Sequence, residues 1–444
     1  MINPRAAAID YTVTAARCIL PISYSSRMPP SCKWCNNFVS NKLVTNKVIT
    51  YICISNQMNR KDMENKPFIF GVATSGDNFT DRVKETERLL MNFRYGVNTI
   101  LISPRRWGKT SLVKKVCGLA QSNNIKVVYI DVFSCRSERE FYDAFALAVL
   151  KQTSSKLDEW LENVRLFLSR ISPKISFGPD PMTDFSVSLE MNPKSDDVDE
   201  ILQLPEKIAQ KKGYNIVICI DEFQQIAEFS DSKTFQKKLR TIWQFQEHTS
   251  YCLFGSKKHL MNELFEKKSL PFYKFGDVIY LQKIGTEDWV NYICGRFEAT
   301  GKCVDRELAE KICKLVDNHS SYVQHLAWLV WIHTDKVATS KDLEMAYEEI
   351  IEQNTPLFEK QTENLSTYQM NFLRAVIDGV HREFTSQTVL QKYELGSSAN
   401  VSTIKRALVK KELIEVEKSR VTIPDPVLQM WLRRQLMQNH WRAE

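Results

Sequence analysis

The feature that most constrains the fold is a strand, a loop and a helix that follow one another between residues 97 and 119. Residues 97–102 are mostly β-branched and apolar, which is typical of a buried strand. After the loop, apolar residues recur at helical spacing at Leu112, Val113, Val116 and Leu119. The loop between them consists of Ser103, Pro104, Arg105, Arg106, Trp107, Gly108, Lys109, Thr110 and Ser111. This order predicts a phosphate-binding loop that opens a helix.

The residue types in this loop suit a nucleotide and its metal ion. Backbone N–H groups at a helix N-terminus bind phosphate oxygens, helped by the helix dipole. Gly108 lets the backbone approach the anion, Lys109 would reach the β- and γ-phosphates, and Thr110 would bind Mg²⁺. The usual pattern begins with glycine, whereas this chain has Ser103, a small residue that tolerates tight turns. We therefore expect a variant loop that binds nucleotide, the alternative being an accidental Gly-Lys-Thr at a helix start.

A second strong signal is the apolar run at 215–220, which ends in Asp221 and Glu222. Such a run is typical of a buried parallel strand, and ligands bind at the carboxyl ends of these strands. Asp221 is predicted to hold Mg²⁺ together with Thr110, and Glu222 is predicted to be the general base for the attacking water. The alternative is a strand that merely ends in a charged turn. The phosphate-binding loop about 110 residues upstream, an ordinary spacing, favours the functional interpretation.

A third strand, at 250–256, ends in a small polar residue. Ser256 is a candidate to contact the γ-phosphate or the attacking water, and its alternative role is to cap the helix that follows. No guanine-reading Asn-Lys-x-Asp motif is visible in the core, which favours ATP over GTP.

These segments together resemble a known family. The matching motifs are Phe79-Thr80-Asp81-Arg82 with Glu85, residues 104–112, Asp221-Glu222-Phe223-Gln224, and residues 254–265. They resemble archaeal-type ATPases in the STAND branch of the AAA+ P-loop NTPases, close to the origin-recognition-like ATPases. The resemblance covers residues 66–434 and adds Arg82 to the expected nucleotide-binding set.

Two departures from the family pattern stand out. One is Ser103. The other is the lid segment at 318–324, which resembles the family's Gly-x-Pro-Tyr-x-x-Gln stretch without its glycine and proline, and in which His319, Tyr322 and Gln324 remain as candidates. The resemblance implies that Tyr322 lies near the nucleotide, and no clear sensor 2 arginine is visible.

The order of elements predicts an α/β fold with a helical lid. A strand at 126–131, a helix at 138–151, a β-hairpin within 175–191 and a helix at 195–210 fill the gap between the two main motifs. Alternating strands and helices imply a parallel sheet covered on both faces. From residue 286 the pattern contains only helices, at 286–300, 305–316, 321–334 and 340–352. We expect an ATPase core at 63–284 and a lid at 285–363.

Residues 364–444 are predicted to form a winged-helix domain. Three helices precede two short strands, and the third helix, 400–411, would be the recognition element. Its polar and basic residues are Thr403, Lys405, Arg406, Lys410 and Lys411. Three acidic residues crowd the wing, Glu412, Glu415 and Glu417. DNA-binding winged helices usually carry a stronger basic stripe, so DNA and a protein partner both remain open.

Residues 1–62 look unlike the remainder of the chain. Residues 1–57 contain a single acidic residue, Asp10, and four of the eleven cysteines. They could be a targeting peptide, a metal site built on Cys32 and Cys35 with Cys18 and Cys53, or residues upstream of the true start at Met58 or Met63. The third interpretation is favoured because the sequence becomes charged and periodic just after these methionines. We therefore expect residues 1–62 to be a disordered or mis-annotated N-terminal extension.

Charge and composition exclude few functions. The net charge of +7 permits an acidic partner without demanding one. No apolar run of 18 residues occurs, so no membrane-spanning helix is expected. Cysteines inside apolar strands, such as Cys219 and Cys252, indicate buried free thiols in a reducing compartment, and hence a cytoplasmic protein.

Three functional hypotheses follow. The first is a slow, Mg²⁺-dependent ATP hydrolase that acts as a conformational switch and signals through its winged helix. The second is a DNA-binding protein whose nucleotide site is structural. The third is a protein scaffold that forms homo-oligomers on nucleotide. In the first hypothesis Arg240 could serve as an arginine finger between subunits, although an exposed helix charge is the more ordinary interpretation.

Overall fold

The computed structural model describes residues 66–440 except 73–78, 122–123, 155–173, 178–186 and 191–194. The predictions for residues 1–62, including the cysteine site, lie outside the described residues. The described residues from Lys66 onward form one compact unit. Among the described residues, no helix combines the length and apolarity that a membrane crossing requires.

Most strands belong to one parallel sheet. The first seven are β1 Thr99–Ile102, β2 Ile125–Asp131, β3 Lys174–Phe177, β4 Val187–Glu190, β5 Asn215–Asp221, β6 Thr249–Gly255 and β7 Asp277–Tyr280. Strands β3 and β4 pair antiparallel, as the hairpin prediction requires. The other five form a parallel sheet in the order β2-β5-β6-β1-β7. The predicted α/β sheet is confirmed, with β7 as a strand that the sequence analysis missed.

Helices cover both faces of this sheet. They are α1 Val83–Arg94, α2 Lys109–Ala120, α3 Glu138–Gln152, α4 Ser195–Lys212, α5 Ser232–Trp243 and α6 Lys258–Glu266, with a 3₁₀ helix at Phe223–Glu228. Side chains of β5 alternate between the faces: Ile218 and Ile220 join the core under α3, α4 and α5, whereas Val217 and Cys219 join the core under α1 and α2. Burial on both faces explains why the strand is an unbroken apolar run.

Four helices follow the sheet, where the lid was predicted. They are α7 Thr286–Glu298, α8 Arg306–Leu315, α9 Ser320–His333 and α10 Ser340–Thr362. Asp305 caps α8 by accepting a hydrogen bond from the backbone N–H of Leu308, and Thr339 caps α10 in a capping box with Asp342. These side chains satisfy N–H groups that a helix start leaves unpaired, which fixes where each helix begins.

The last elements form the winged helix that the sequence predicts. They are α11 Thr367–Ile377, α12 Gln387–Lys392, α13 Ser398–Lys410, β8 Glu415–Glu417, β9 Arg420–Thr422 and α14 Pro426–His440. Phe372 stacks on Phe384 with ring centroids 4.3 Å apart, inside a core that also buries Leu408. Trp431 of α14 packs on Phe358 of α10, with ring centroids 5.9 Å apart, so this last helix joins the winged helix to the helices before it.

Candidate nucleotide-binding site

The predicted site residues meet at the carboxyl edge of the sheet. Strands β5, β6 and β1 are neighbours, and each delivers its candidate just beyond its last residues. Strand β5 ends at Asp221, Ser256 follows β6, and the loop after β1 leads to Lys109 at the start of α2. Parallel strands place these three side chains on one edge, although they are far apart in the chain.

The loop between β1 and α2 leaves open space for a ligand. Gly108 has φ 87°, and a Cβ built there would meet no atom within 4 Å. Arg106 also adopts a left-handed backbone, with φ 64°, which is unusual for a residue with a side chain. Ser103 is fully buried, and its hydroxyl donates to the carbonyl of Pro104 at 2.9 Å. The serine in place of the first glycine is therefore accommodated within the loop.

Lys109 is buried among acidic groups. Its Nζ donates to Asp221 Oδ1 at 2.7 Å and lies 3.4 Å from Glu222 Oε1. The same ammonium lies 5.0 Å from the centroid of the Phe254 ring. One ammonium thus faces two carboxylates, and the group keeps a net negative charge that suits a divalent cation.

Asp221 and Thr110 present oxygen atoms to a common point. The Thr110 hydroxyl donates to Asp221 Oδ2 at 3.0 Å. Asp221 Oδ1 also accepts the backbone N–H of Glu222 at 2.9 Å, which fixes the carboxylate plane. A hydroxyl and a carboxylate are the hard oxygen ligands that Mg²⁺ prefers, and together with the open loop they fit a nucleotide–Mg²⁺ pair.

Glu222 is held from both sides of its carboxylate. Its Oε2 accepts from the Gln224 amide at 2.5 Å and from the Ser256 hydroxyl at 2.8 Å. Burial raises the pKa of Glu222, but the Lys109 charge and the hydrogen bonds from Gln224 and Ser256 outweigh that effect and hold it below its ordinary value. The carboxylate is therefore ionised at neutral pH, as a general base must be.

The Arg82 side chain contacts the backbone of the phosphate-binding loop. Its guanidinium donates to the carbonyl of Trp107 at 3.2 Å, to the carbonyl of Gln282 at 2.5 Å and to Glu85 Oε1 at 3.2 Å. The side chain is only 3% exposed, and burial lowers its pKa against the opposing effect of Glu85. Arg82 therefore ties the loop to the chain that follows β7, with its donors directed at protein atoms.

Arg105 and Arg106 point toward the winged helix and α9. Arg105 lies 3.4 Å from the carboxylate of Glu412, in the turn before β8. Arg106 is close enough to Tyr322 and Asp425 to lower the pKa of both groups, although burial dominates each shift and raises it. The two arginines link the loop to the C-terminal domain.

Tyr322 lies at this junction. Its hydroxyl donates to Asp425 Oδ2 at 2.8 Å, while Asp425 Oδ1 accepts the backbone N–H groups of Val427 and Leu428 at the start of α14. The His319 ring lies against Tyr322, with ring centroids 4.8 Å apart and ring planes tilted by 44°. Burial, helped by the charges of Arg106 and Lys283, lowers the pKa of His319 to about 4. Its ring is therefore neutral at pH 7, and its Nδ1 has no hydrogen-bond partner among the described residues.

Three further residues singled out in the sequence lie in different parts of the fold: Gln324, Ser111 and Arg240. Gln324 is buried, and its Oε1 accepts the backbone N–H of Ile69 at 3.0 Å, which fastens the segment before α1 to α9. Ser111 is buried in the first turn of α2. The Arg240 guanidinium lies 4.8 Å from the centroid of the Phe275 ring, so its charge is engaged within its own chain.

Several residues that complete the site were not among those predicted from the sequence. Tyr129 donates its hydroxyl to Asp221 Oδ2 at 2.7 Å, and Phe254 lies beneath Lys109. Gln224 was noted only as part of a motif. The signal for Tyr129 was a side chain with a hydroxyl group inside an otherwise apolar strand. No pattern in the sequence indicates the hydrogen bond between Tyr322 and Asp425.

A parallel sheet with a strand-loop-helix phosphate loop, acidic residues at the end of another strand of the same sheet and a winged helix defines a P-loop ATPase with a winged-helix domain. A family model described as an ATPase domain predominantly from Archaea matches residues 79–326, and one described as a probable winged helix domain matches residues 356–434. The first match covers more than half of the sequence. This chain therefore belongs to that ATPase family.

Solved structures share the fold. The Walker-type ATPase PABY2304 of Pyrococcus abyssi aligns with a TM-score of 0.60 and 16% identity, over 83% of this chain and 100% of that chain. The ORC2 protein of Aeropyrum pernix, solved in ADPNP–ADP complexes, aligns with a TM-score of 0.50 and 13% identity, over 81% and 96% of the two chains. No curated protein sequence matches significantly. The resemblance to origin-recognition-like ATPases is confirmed at the level of the fold.

Proposed function

We propose that this chain binds ATP with Mg²⁺ and hydrolyses it slowly, as a switch whose output is the winged helix. The observation that carries the proposal is the meeting of Lys109, Thr110, Asp221, Glu222 and Ser256 at one edge of the sheet. Family membership supports the same conclusion.

Each side chain has a separate task in this proposal. Lys109 binds the β- and γ-phosphates, and Thr110 and Asp221 hold the metal ion. Mg²⁺, when bound, would neutralise part of the negative charge of the phosphates. Glu222 accepts a proton from the attacking water, and Ser256 orients the water or the γ-phosphate. The first turn of α2 adds backbone N–H groups that have no acceptor within the helix.

Slow turnover is supported by the hydrogen bonds of Glu222. Its Oε2 accepts from both Gln224 and Ser256, and its Oε1 faces Lys109 at 3.4 Å. A general base needs a free oxygen within hydrogen-bond reach of water. The contacts with Lys109, Gln224 and Ser256 also lower the pKa of Glu222, so the carboxylate is a weaker base and takes the proton from water more slowly.

The switch is supported by the contacts between the phosphate-binding loop and the winged helix. Arg105 pairs with Glu412, and Arg106 lies by Asp425. Lys258, just beyond Ser256, pairs with Glu417 of the wing. Phosphate oxygens would compete with these carboxylates for the same arginine and lysine side chains. Nucleotide binding would therefore weaken the contacts of the wing with the core, and these contacts would weaken nucleotide binding.

Nucleotide binding and turnover on three proteins test the proposal. The wild type should bind ATP and release phosphate slowly in Mg²⁺. Glu222→Gln should bind ATP with little turnover, whereas Lys109→Ala should lose most of its binding. Wild-type protein that binds ATP without cleaving it would leave a binding switch, and protein that binds no nucleotide at all would overturn the proposal.

A second candidate is DNA binding in which the nucleotide site is structural. It is favoured by exposed polar and basic side chains on α13 and after it: Thr403, Arg406, Lys410 and Lys411. DNA binding that falls steeply with salt and survives Lys109→Ala would support it. No binding at low salt would leave a protein partner or a homo-oligomer as the output. Elution volume with and without ATP distinguishes these two, because only a nucleotide-dependent oligomer changes its volume.

A further inference from the structure

Tyr129 contacts the proposed metal-binding carboxylate directly. Its hydroxyl donates to Asp221 Oδ2 at 2.7 Å. The same oxygen accepts the Thr110 hydroxyl at 3.0 Å, whereas Oδ1 accepts Lys109 and the backbone of Glu222. Tyr129 therefore binds the oxygen that faces Thr110, opposite the one that the lysine holds.

Tyr129 is itself fixed in place by hydrogen bonds to its backbone. It lies on β2, the end strand of the described sheet, so one side of its backbone faces away from the neighbouring β5. The Gln152 amide occupies that side: its Nε2 donates to the carbonyl of Tyr129 at 2.9 Å, and its Oε1 accepts the Tyr129 N–H at 2.9 Å. One side chain thus makes both bonds that another strand would make, which holds the backbone of Tyr129 in register.

The ring of Tyr129 is confined as well. It lies 6.1 Å from the Phe254 ring, between centroids, and the Lys114 ammonium lies 5.4 Å from its centroid. Phe254 in turn lies beneath Lys109. The two rings thus flank the Lys109–Asp221 pair, and a confined ring can direct its hydroxyl at one oxygen only.

We propose that Tyr129 is a positioning residue for the metal site, which orients Asp221 so that its carboxylate and the Thr110 hydroxyl can share one Mg²⁺. The inference rests on the proposed function, since it concerns the metal ion that accompanies ATP. Hydrogen-bond partners of metal ligands typically change metal affinity or activity by about 10–100-fold when they are removed.

Nucleotide binding with and without Mg²⁺ tests this role. A fluorescent ATP analogue is titrated into the full chain in EDTA and at increasing Mg²⁺. Tyr129→Phe should match the wild type in EDTA, because the phosphate-binding loop is untouched. Its half-maximal Mg²⁺ concentration should rise by about tenfold or more.

Tyr251→Phe is the matched control. The Tyr251 hydroxyl donates to Gln246 Oε1 at 2.6 Å, in the core on the other face of the sheet. This variant also loses a buried hydroxyl and its hydrogen bond, so it reproduces any general loss of stability. Its Mg²⁺ dependence should equal that of the wild type.

A double-mutant cycle identifies the route of the effect. In an Asp221→Asn background, Tyr129→Phe should change the Mg²⁺ dependence no further, because the carboxylate that it orients has gone. An unchanged Mg²⁺ dependence in Tyr129→Phe, beside a wild type that responds to Mg²⁺, overturns this inference alone. A wild type whose nucleotide binding ignores Mg²⁺ overturns the inference together with the proposed metal site.

Discussion

A methyl group added at Gly255 should disturb Glu222, the proposed general base, without touching it. An ideal Cβ at Gly255 would lie 1.8 Å from Gln224 Oε1 and 2.9 Å from Met261 Sδ. Gln224 is 2% exposed, and its amide donates to Glu222 Oε2 at 2.5 Å. Gly255→Ala must therefore displace the Gln224 amide, and with it one of the bonds that hold Glu222.

The magnitude follows from two effects. Overpacking a core by one methyl group costs about 1–3 kcal/mol. Loss of a buried hydrogen bond to a charged group costs about 1.5–3 kcal/mol. Gly255→Ala should therefore lower the free energy of unfolding by at least about 2.5 kcal/mol, which corresponds to a fall in Tm of at least about 5 °C in a domain of this size.

Thermal unfolding and phosphate release measure the two consequences. Gly118→Ala is the matched control, because a Cβ at that exposed helical glycine would meet no atom within 4 Å. Alanine should stabilise the helix there by about 0.5–1 kcal/mol. In a double-mutant cycle, Gly255→Ala should cost little once Gln224→Ala has removed the clashing amide. A Gly255→Ala protein with wild-type Tm and wild-type turnover would refute the reasoning.

Other expected outcomes concern charge. Glu222→Gln should lower turnover by about 100-fold or more with ATP affinity retained, and equal turnover would exclude Glu222 as the base. Glu412→Gln should free Arg105 and tighten ATP binding by up to about fivefold at low salt, because an exposed ion pair contributes about 0.2–1 kcal/mol; an affinity equal to wild type would remove Glu412 from the switch. His319 excludes a proton in the folded state, where its pKa is about 4, but accepts one near 6.5 when unfolded. The contribution of His319 to the free energy of unfolding should thus be complete above about pH 6.5 and should be lost toward pH 4, a decrease of at most about 3 kcal/mol. Urea titrations at several pH values measure this decrease, and His319→Asn should make it smaller.

The sequence predicted the parts of the site that depend on local pattern. The strands around residues 97–102 and 215–220 were evident because burial on both faces demands continuous apolar residues. Strand β7, Asp277–Tyr280, was missed because it is only four residues long and mostly half-exposed. The glycine just before β7 was a usable signal of a close backbone contact. In the structure, a Cβ at Gly276 would lie 2.1 Å from the carbonyl oxygen of Asn98, beside β1.

Partners were harder to predict than motifs. Arg82 was expected to bind nucleotide, and in the structure its guanidinium binds the carbonyls of Trp107 and Gln282. Tyr129 on β2 reaches Asp221 because β2 is the neighbour of β5 in the sheet. This contact therefore depends on the strand order. Strand order comes from packing of the whole domain, which periodicity within single segments does not encode.

The acidic wing connects the sequence to the proposed switch. Glu412, Glu415 and Glu417 weaken the basic character expected of a DNA-binding winged helix. In the folded chain Glu412 pairs with Arg105 and Glu417 with Lys258. Burial raises the pKa of Glu415, and the nearby Lys258 opposes that shift. Carboxylates that would repel DNA are therefore matched to cations around the phosphate-binding loop. In the proposed switch, a ligand that takes those cations, a polyphosphate above all, would leave the wing with unpaired acidic groups and would weaken its contact with the core.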